Sequence, residues 1–352
     1  MGVVGAARVV RMGRAGAGPR APDRVGLGLG PWRARARRGS WSVRCAAQCT
    51  GAEATTPPKK LCMLWGACVI PHPAKVSKGG EDAYFVSEGG RVAGVADGVS
   101  GWADEVDPQE YPRELMGYCA LAAQEAGLAG AEEPWKVLKR AWQSTEKLGA
   151  STAIVVGLAE DNVLRVVNLG DSGAAIVRRG TVVFRTDEQQ HEFNCPLQLG
   201  PESPDTPADA DVYDLPQIAA GDVLVLGTDG LWDNCYSEEV GMVVLEHATP
   251  GRPPSHVAHE LANLAASHSM DRDFESPFSV AAASAGMGPN KLMRALGAKG
   301  GIQGGKLDDI TVCCAYILDA DSPDAAPLEG LDQCAGACTL LQDLPGPLAD
   351  PL

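Results

Sequence analysis

The stretch Ser151–Phe184, STAIVVGLAEDNVLRVVNLGDSGAAIVRRGTVVF, decides the fold class. Four short β-branched runs, 151–158, 163–168, 174–177 and 182–184, are punctuated by Gly, Asn and Asp. Such residues turn a chain from one strand to the next. No helix-length segment separates the runs, so the strands are expected to pair as antiparallel hairpins. Working outward, Ala83–Ser87 and Arg91–Ala96 flank Glu88-Gly89-Gly90, another hairpin signal. Asp222–Leu226 and Ile310–Leu318 read as further strands. Helical spacing takes over at Pro112–Leu128, where Leu115, Cys119 and Ala122 share a face. A second helix opens at Pro134 and carries Val137, Leu138, Ala141, Trp142 and Leu148. Others are expected at Ser255–His268 and near Lys291–Leu296. The prediction is an α+β fold, an antiparallel sandwich with helices packed outside.

The chain has 352 residues, 45 acidic against 30 basic, and a formal charge of -15. An acidic balance argues against nucleic-acid binding through phosphate contacts. The longest apolar run, Leu61–Ile70, is too short for a membrane span. Eleven cysteines without regular spacing argue against a secreted disulfide framework. Charge is unevenly spread: residues 1–44 hold ten arginines against Asp23 alone, leaving -24 on the remainder. That basic leader reads as an organelle transit peptide, chloroplast ahead of mitochondrion, with a basic arm for RNA as the alternative. Residues 45–60 read as a linker and 61–318 as the catalytic domain. Residues 319–352, with seven acids and no Lys or Arg, read as a solvated, disordered tail. Cys45/Cys49 and Cys334/Cys338 repeat one spacing in these ends, without histidines nearby to suggest a metal.

Aspartates recur where strands begin or stop: Glu81-Asp82, Asp97-Gly98, Gly170-Asp171, Asp229-Gly230 with Asp233 beyond, and Asp308-Asp309. A single Asp-Gly is an ordinary turn. Their recurrence through one domain points to carboxylates meeting in a shared cleft, which need cations to stay ionised together. Oxygen ligands without Cys or His select Mg²⁺ or Mn²⁺ over zinc. Glycine after Asp97 is expected to let the backbone turn and present its carbonyl. The spacing alone names no reaction.

The motifs Gly80-Glu81-Asp82-Ala83, Ala96-Asp97-Gly98-Val99-Ser100-Gly101-Trp102, Gly149–Ala153, Asn168–Ser172, Gly227–Asn234 and Gly305–Val312 appear in order. Together they resemble the metal-dependent protein phosphatase 2C family, from about Trp65 to Leu318. His191–Pro196 and Phe274–Phe278 resemble the branch of that family that includes a phosphatase of photosystem II core proteins. The resemblance implies a two-layer antiparallel β-sandwich flanked by α-helices, holding two Mn²⁺ or Mg²⁺ ions. It implies catalytic roles for Asp97, Asp229 and Asp308. Asp97 would bridge the ions, Gly98 would ligate through its carbonyl, and Asp229, Asp308 and Asp82 would complete the set. Glu81 would bind metal-bound water, and Asp171 and Asp233 would border a weaker third ion. Asp309 stands where the family usually has Asn and is left out of the ligand set.

Two departures stand out. Val99 replaces a histidine proposed in the family as general acid; His72 or a bound water are substitutes, with His72 more readily structural. No Arg precedes Glu81-Asp82, so Lys75 and Lys78 are the phosphate-binding candidates, or plain surface lysines. His191 reads as structural, and Trp102 and Trp232 as packing. The expected function is a serine/threonine phosphoprotein phosphatase of the chloroplast stroma, monomeric, acting on photosystem II core subunits. The alternative is a catalytically silent relative that binds phosphoproteins or a regulator.

Overall fold

A computed structural model of the chain describes residues 8–11 (backbone only), 59–99, 106–127, 130–131, 133–287 and 304–323. Two antiparallel sheets face each other. The first orders its strands β1 (Arg8–Arg11), β11 (Asp211–Leu215), β6 (Leu164–Leu169), β5 (Ala153–Leu158), β4 (Val92–Ala96), β3 (Ala83–Val86). The second runs β2 (Leu61–Ile70), β13 (Ile310–Asp319), β12 (Val223–Gly227), β7 (Gly173–Arg178), β8 (Thr181–Arg185). A two-stranded ribbon, β9 (Gln190–Glu192) with β10 (Cys195–Pro196), stands apart.

Period-two alternation explains the layering. Along β12, Leu224 and Leu226 enter the core between the sheets, while Val223 and Val225 face outward into a second core. In β5, Ile154, Val156 and Leu158 point inward and Ala153 and Val155 outward. Both faces of each sheet are therefore apolar and need cover. Helices α1 (Glu110–Ala126) and α2 (Pro134–Ser144) cover the first sheet. Over the second lie α3 (Asp229–Trp232), α4 (Ser237–His247) and α5 (Pro254–Met270), with α6 (Pro277–Ser284) following. Helix and sheet approach closely where glycine allows it: a Cβ on Gly66 of β2 would stand 2.0 Å from the Ser255 nitrogen of α5.

The α+β sandwich expected from the sequence is present, with several differences. Leu61–Ile70, read there only as an apolar run, is a strand paired along its whole length with β13. The second helix stops at Ser144, short of Leu148, which is 59% exposed. Its end is set by Glu114, whose Oε2 accepts the N–H groups of Glu146 and Lys147 at 2.8 Å each. β11 and helices α4 and α6 were not foreseen. Arg8–Arg11, inside the expected leader, lines the edge of β11 with Arg8 opposite Asp214 and Arg11 opposite Asp211. The rest of the leader, the linker to residue 58, the helix expected near 291–296, the tail beyond 323, Trp102 and the paired cysteines of the chain ends lie outside the described residues. Among the described residues, no helix is long and apolar enough to cross a membrane.

Candidate metal centre

Strand pairing brings the acids together. Ala83 opposes Ala96 in the β3–β4 hairpin, so Asp82 and Asp97 stand side by side just past its end. In the other sheet Gly227 opposes Val312, which sets Asp229 and Asp308 past the same end of the sandwich. Asp171 lies where the chain crosses from β6 to β7, from one sheet to the other. Thr228 ties the two halves: its hydroxyl donates to Asp82 Oδ2 at 2.8 Å and accepts the Thr311 N–H at 3.1 Å. Thr152 Oγ1 accepts the Asp97 N–H at 3.1 Å and lies 2.7 Å from Ser172 Oγ.

These carboxylates are short of partners. Asp82 Oδ1, Asp171 Oδ1 and Asp229 Oδ1 are buried with no hydrogen bond, a costly condition for an anionic oxygen. Burial pushes the Asp97 carboxyl well above its usual range, and the charges of Asp229, Asp82 and Asp308 push it further. Burial likewise raises Asp82, helped by Asp309, and raises Asp171 and Asp308, each helped by Asp229. Asp233 is pushed up to about 7 by burial, although Lys306 pulls it back. Orphaned buried oxygens on a set of hard donors are what a divalent cation satisfies. Gly98 fits the same purpose for a reason other than the expected turn. A Cβ there would lie 2.6 Å from the Pro108 carbonyl oxygen and 2.7 Å from that of Glu81. Glycine is required because backbone closes in on both sides, not because of a left-handed conformation.

The neighbouring charges are arranged differently. Asp309 is 2% exposed and fully occupied. Its Oδ1 accepts the His72 N–H at 2.7 Å, and its Oδ2 accepts from the Glu81 N–H at 3.1 Å and Lys75 Nζ at 3.0 Å. It clamps the 72–81 loop, consistent with leaving it out of the ligand set. Lys75 also binds Glu81 Oε2 at 2.6 Å, so this phosphate candidate already spans two carboxylates. Lys78 pairs with Asp107 at 3.2 Å in an exposed bridge. His72 has its Nδ1 bound by the Ala74 N–H at 3.0 Å, and His191 pairs with Asp205 at 2.8 Å; both brace loops. Trp232 is buried, its indole N–H shared between the Gly227 and Gly173 carbonyls.

Two residues at the centre were missed by sequence reasoning. Lys306 Nζ contacts Asp229, lies 2.8 Å from Asp233 Oδ2 and 3.4 Å from Asp308 Oδ2. Burial opposes its charge, but Asp229, Asp233 and Asp308 together hold its pKa well above the ordinary lysine value. Asn234 fixes Lys306 by accepting its N–H and donating to its carbonyl, both at 2.9 Å. A lysine two residues before Asp308 and an amide beside Asp233 were the available signals.

A second candidate group, His247, His256 and Glu260, lies on α4 and α5. There the Arg252 guanidinium faces the same His256 Nε2 that lies 3.2 Å from His247 Nδ1.

No family model matches the chain. It is 40% identical over 268 residues to probable protein phosphatase 2C 80 of Arabidopsis thaliana, covering 76% of this chain and 61% of that protein. It is 37% identical over 276 residues to probable protein phosphatase 2C 26 of the same plant, covering 78% of this chain and 90% of the relative. The chain belongs to the protein phosphatase 2C family. Among solved structures, the photosystem II phosphatase PBCP is similar at 37% identity and a TM-score of 0.66, covering 72% of this chain and 98% of that one. The family accounts for the antiparallel sandwich with its flanking helices. The chain spans less than two thirds of the length of the first of these relatives.

Proposed function

We propose that this chain is a Mn²⁺- or Mg²⁺-dependent protein-serine/threonine phosphatase that hydrolyses phosphoester bonds. One observation carries the reading: carboxylates from both sheets converge with buried oxygens unpartnered, among hard donors that suit those ions. Asp97, the Gly98 carbonyl, Asp82, Asp229 and Asp308 would hold two ions. Bound there, the ions would supply positive charge for the phosphoryl oxygens and lower the pKa of a bound water toward neutrality.

The protein's own part is positioning. Asp82 is aimed by Thr228, and the Asp97 backbone is fixed by Thr152. Glu81, held by Lys75, borders the site and would orient water. Lys75 is committed to Glu81 and Asp309 and would reach phosphate only by sharing its charge with them. Lys78, on an exposed bridge, would act as a point charge at the rim. Val99 offers no proton to the leaving group, so that proton would come from water at the cleft.

The favoured substrates are phosphoproteins of the photosystem II core, met in the chloroplast stroma by a monomeric enzyme freed of residues 1–44. Support comes from the 37% identity to a photosystem II phosphatase across 98% of its chain, and from the basic leader. The silent-relative reading is disfavoured because every expected ligand is present. Three assays test the proposal. The full chain should hydrolyse p-nitrophenyl phosphate with Mn²⁺ and stop with EDTA; ion binding without hydrolysis would favour the silent relative. Phosphopeptide profiling of thylakoids, with and without enzyme, should show loss of phosphate from core-subunit peptides. Import of a 1–60 fusion into isolated chloroplasts tests the leader, and routing to mitochondria would overturn the location.

A further inference from the structure

Lys306 is a cation at the centre that the two-ion reading leaves unused. It is not a surface lysine that happens to bend inward: its side chain is 15% exposed and its ammonium meets three carboxylates. Its place is set by the backbone. Asn234, fully buried, grips both the N–H and the carbonyl of residue 306 and also donates to the Gly230 carbonyl at 2.9 Å. The lysine is thus stapled to the same turn of chain that carries Asp229 and Asp233. Gly305 permits that approach, since a Cβ there would stand 2.1 Å from the His268 carbonyl oxygen. Phe278 covers the ammonium, its ring centroid 5.3 Å from Nζ, and Phe193 packs on Phe278 at 5.3 Å. Such a face favours a cation and keeps it in place.

Asp229 and Asp308 are needed by the two ions, whereas Asp233 is not. Asp233 accepts a charged hydrogen bond from Lys306 at 2.8 Å, beside the closer contact that the ammonium makes with Asp229. Asp171 and Asp233 are the residues from which a third, weaker ion was expected. An ammonium already on Asp233 would repel a further divalent cation and would neutralise the carboxylate that was to bind it.

We propose that the Lys306 ammonium takes the place of a third divalent ion on the Asp233 side, so that the centre works with two exchangeable ions and one tethered cation. The proposal rests on the two-ion reading above. A tethered cation neither dissociates nor depends on ion concentration, so the Asp233 side stays compensated when divalent ions are scarce. It also caps the ion count however high the concentration is raised.

The test counts ions. Chelator-treated full-length protein is titrated with Mn²⁺, and free Mn²⁺ is read by electron paramagnetic resonance. Wild type should saturate at two ions. Lys306→Met, which keeps the side-chain length and removes the charge, should acquire a third ion about tenfold or more tighter than any third ion in wild type. Lys306→Arg, which keeps the charge, should stay at two. Should Lys306→Met not fold, Lys306→Gln gives the same comparison. Three ions in wild type with the affinity seen in the neutral variant, or two in both, would overturn the role of the lysine alone. No Mn²⁺ binding by wild type would overturn the two-ion reading, and this proposal with it.

Discussion

The two ends of β12 carry aspartates with opposite fates. At its start, Asp222 is 2% exposed and fully satisfied: Arg178 binds both its oxygens at 2.7 Å, and the Ala219 N–H adds a third bond at 2.8 Å. At its far end, Asp229 keeps a buried oxygen without a partner and shares one lysine with two other acids. The five strand residues Val223–Gly227 and Thr228 lie between them. The fold can therefore neutralise a buried carboxylate when nothing else will, and at the other end it does not. A buried charge left uncompensated is a stability cost that persists where function uses it.

The largest effect that would sharpen this contrast is catalytic. Asp97→Asn and Asp229→Asn should each lower the Mn²⁺-dependent rate on p-nitrophenyl phosphate by roughly 10²-fold or more, since each removes an anionic ligand. In chelator, the same variants should melt no lower than wild type, because like charge leaves a crowded site. A lower melting point in chelator would break the comparison.

At the opposite end the signs reverse. Arg178→Ala should cost about 2–3 kcal/mol in denaturant unfolding, since Asp222 is stranded while its partner was partly solvated. Mn²⁺ affinity should not change. Asp309→Asn belongs with this end. It places an amide N–H against the Glu81 N–H and Lys75, and should cost about 1–2 kcal/mol of stability. Its effect on rate should stay well below that of Asp308→Asn. Equal rate losses would overturn the register of the last motif and the exclusion of Asp309 from the ligand set.

A smaller effect concerns pH. Asp82, Asp97, Asp171, Asp308 and Asp233 have folded pKa values above their ordinary 3.8, with Asp233 near 7. In the absence of divalent ions the folded state then binds more protons than the unfolded one. The stability from these groups is fully present below about pH 4 and is lost as pH rises toward 7 and beyond. Chelated protein should melt lower at pH 8 than at pH 5.5, and saturating Mn²⁺ should flatten that slope. An upward slope in chelator would contradict the assigned carboxylates.

Much of this was readable in the sequence, for physical reasons. The strands from Ser151 to Phe184 are β-branched, short and closed by turn residues, so local pattern and tertiary role agree. β11, DVYDL, was hidden because it sets a buried aspartate, Asp211, on the face of Tyr213 and Leu215, so its alternation does not read as apolar against polar. α6 had a usable start signal, Ser276 before Pro277, and the Ser276 hydroxyl does accept the Ser279 N–H. The proposed ligand aspartates were legible because they recur at strand ends, Asp97 and Asp229 directly before a glycine. Lys306 was not, because its role is fixed by Asn234, 72 positions away, and no local pattern encodes that clamp. By residue type Asp308 and Asp309 look alike; the family resemblance is what separates them in sequence, and in the structure Asp309 alone accepts from His72, Glu81 and Lys75.

The most direct test of the central claim is an anomalous difference map at the manganese absorption edge, from crystals of the protein grown with Mn²⁺. The account predicts two peaks, between Asp97 and the Gly98 carbonyl on one side and Asp82, Asp229 and Asp308 on the other, with Lys306 still on Asp233. An empty carboxylate end, or peaks only beside His247, His256 and Glu260, would contradict it.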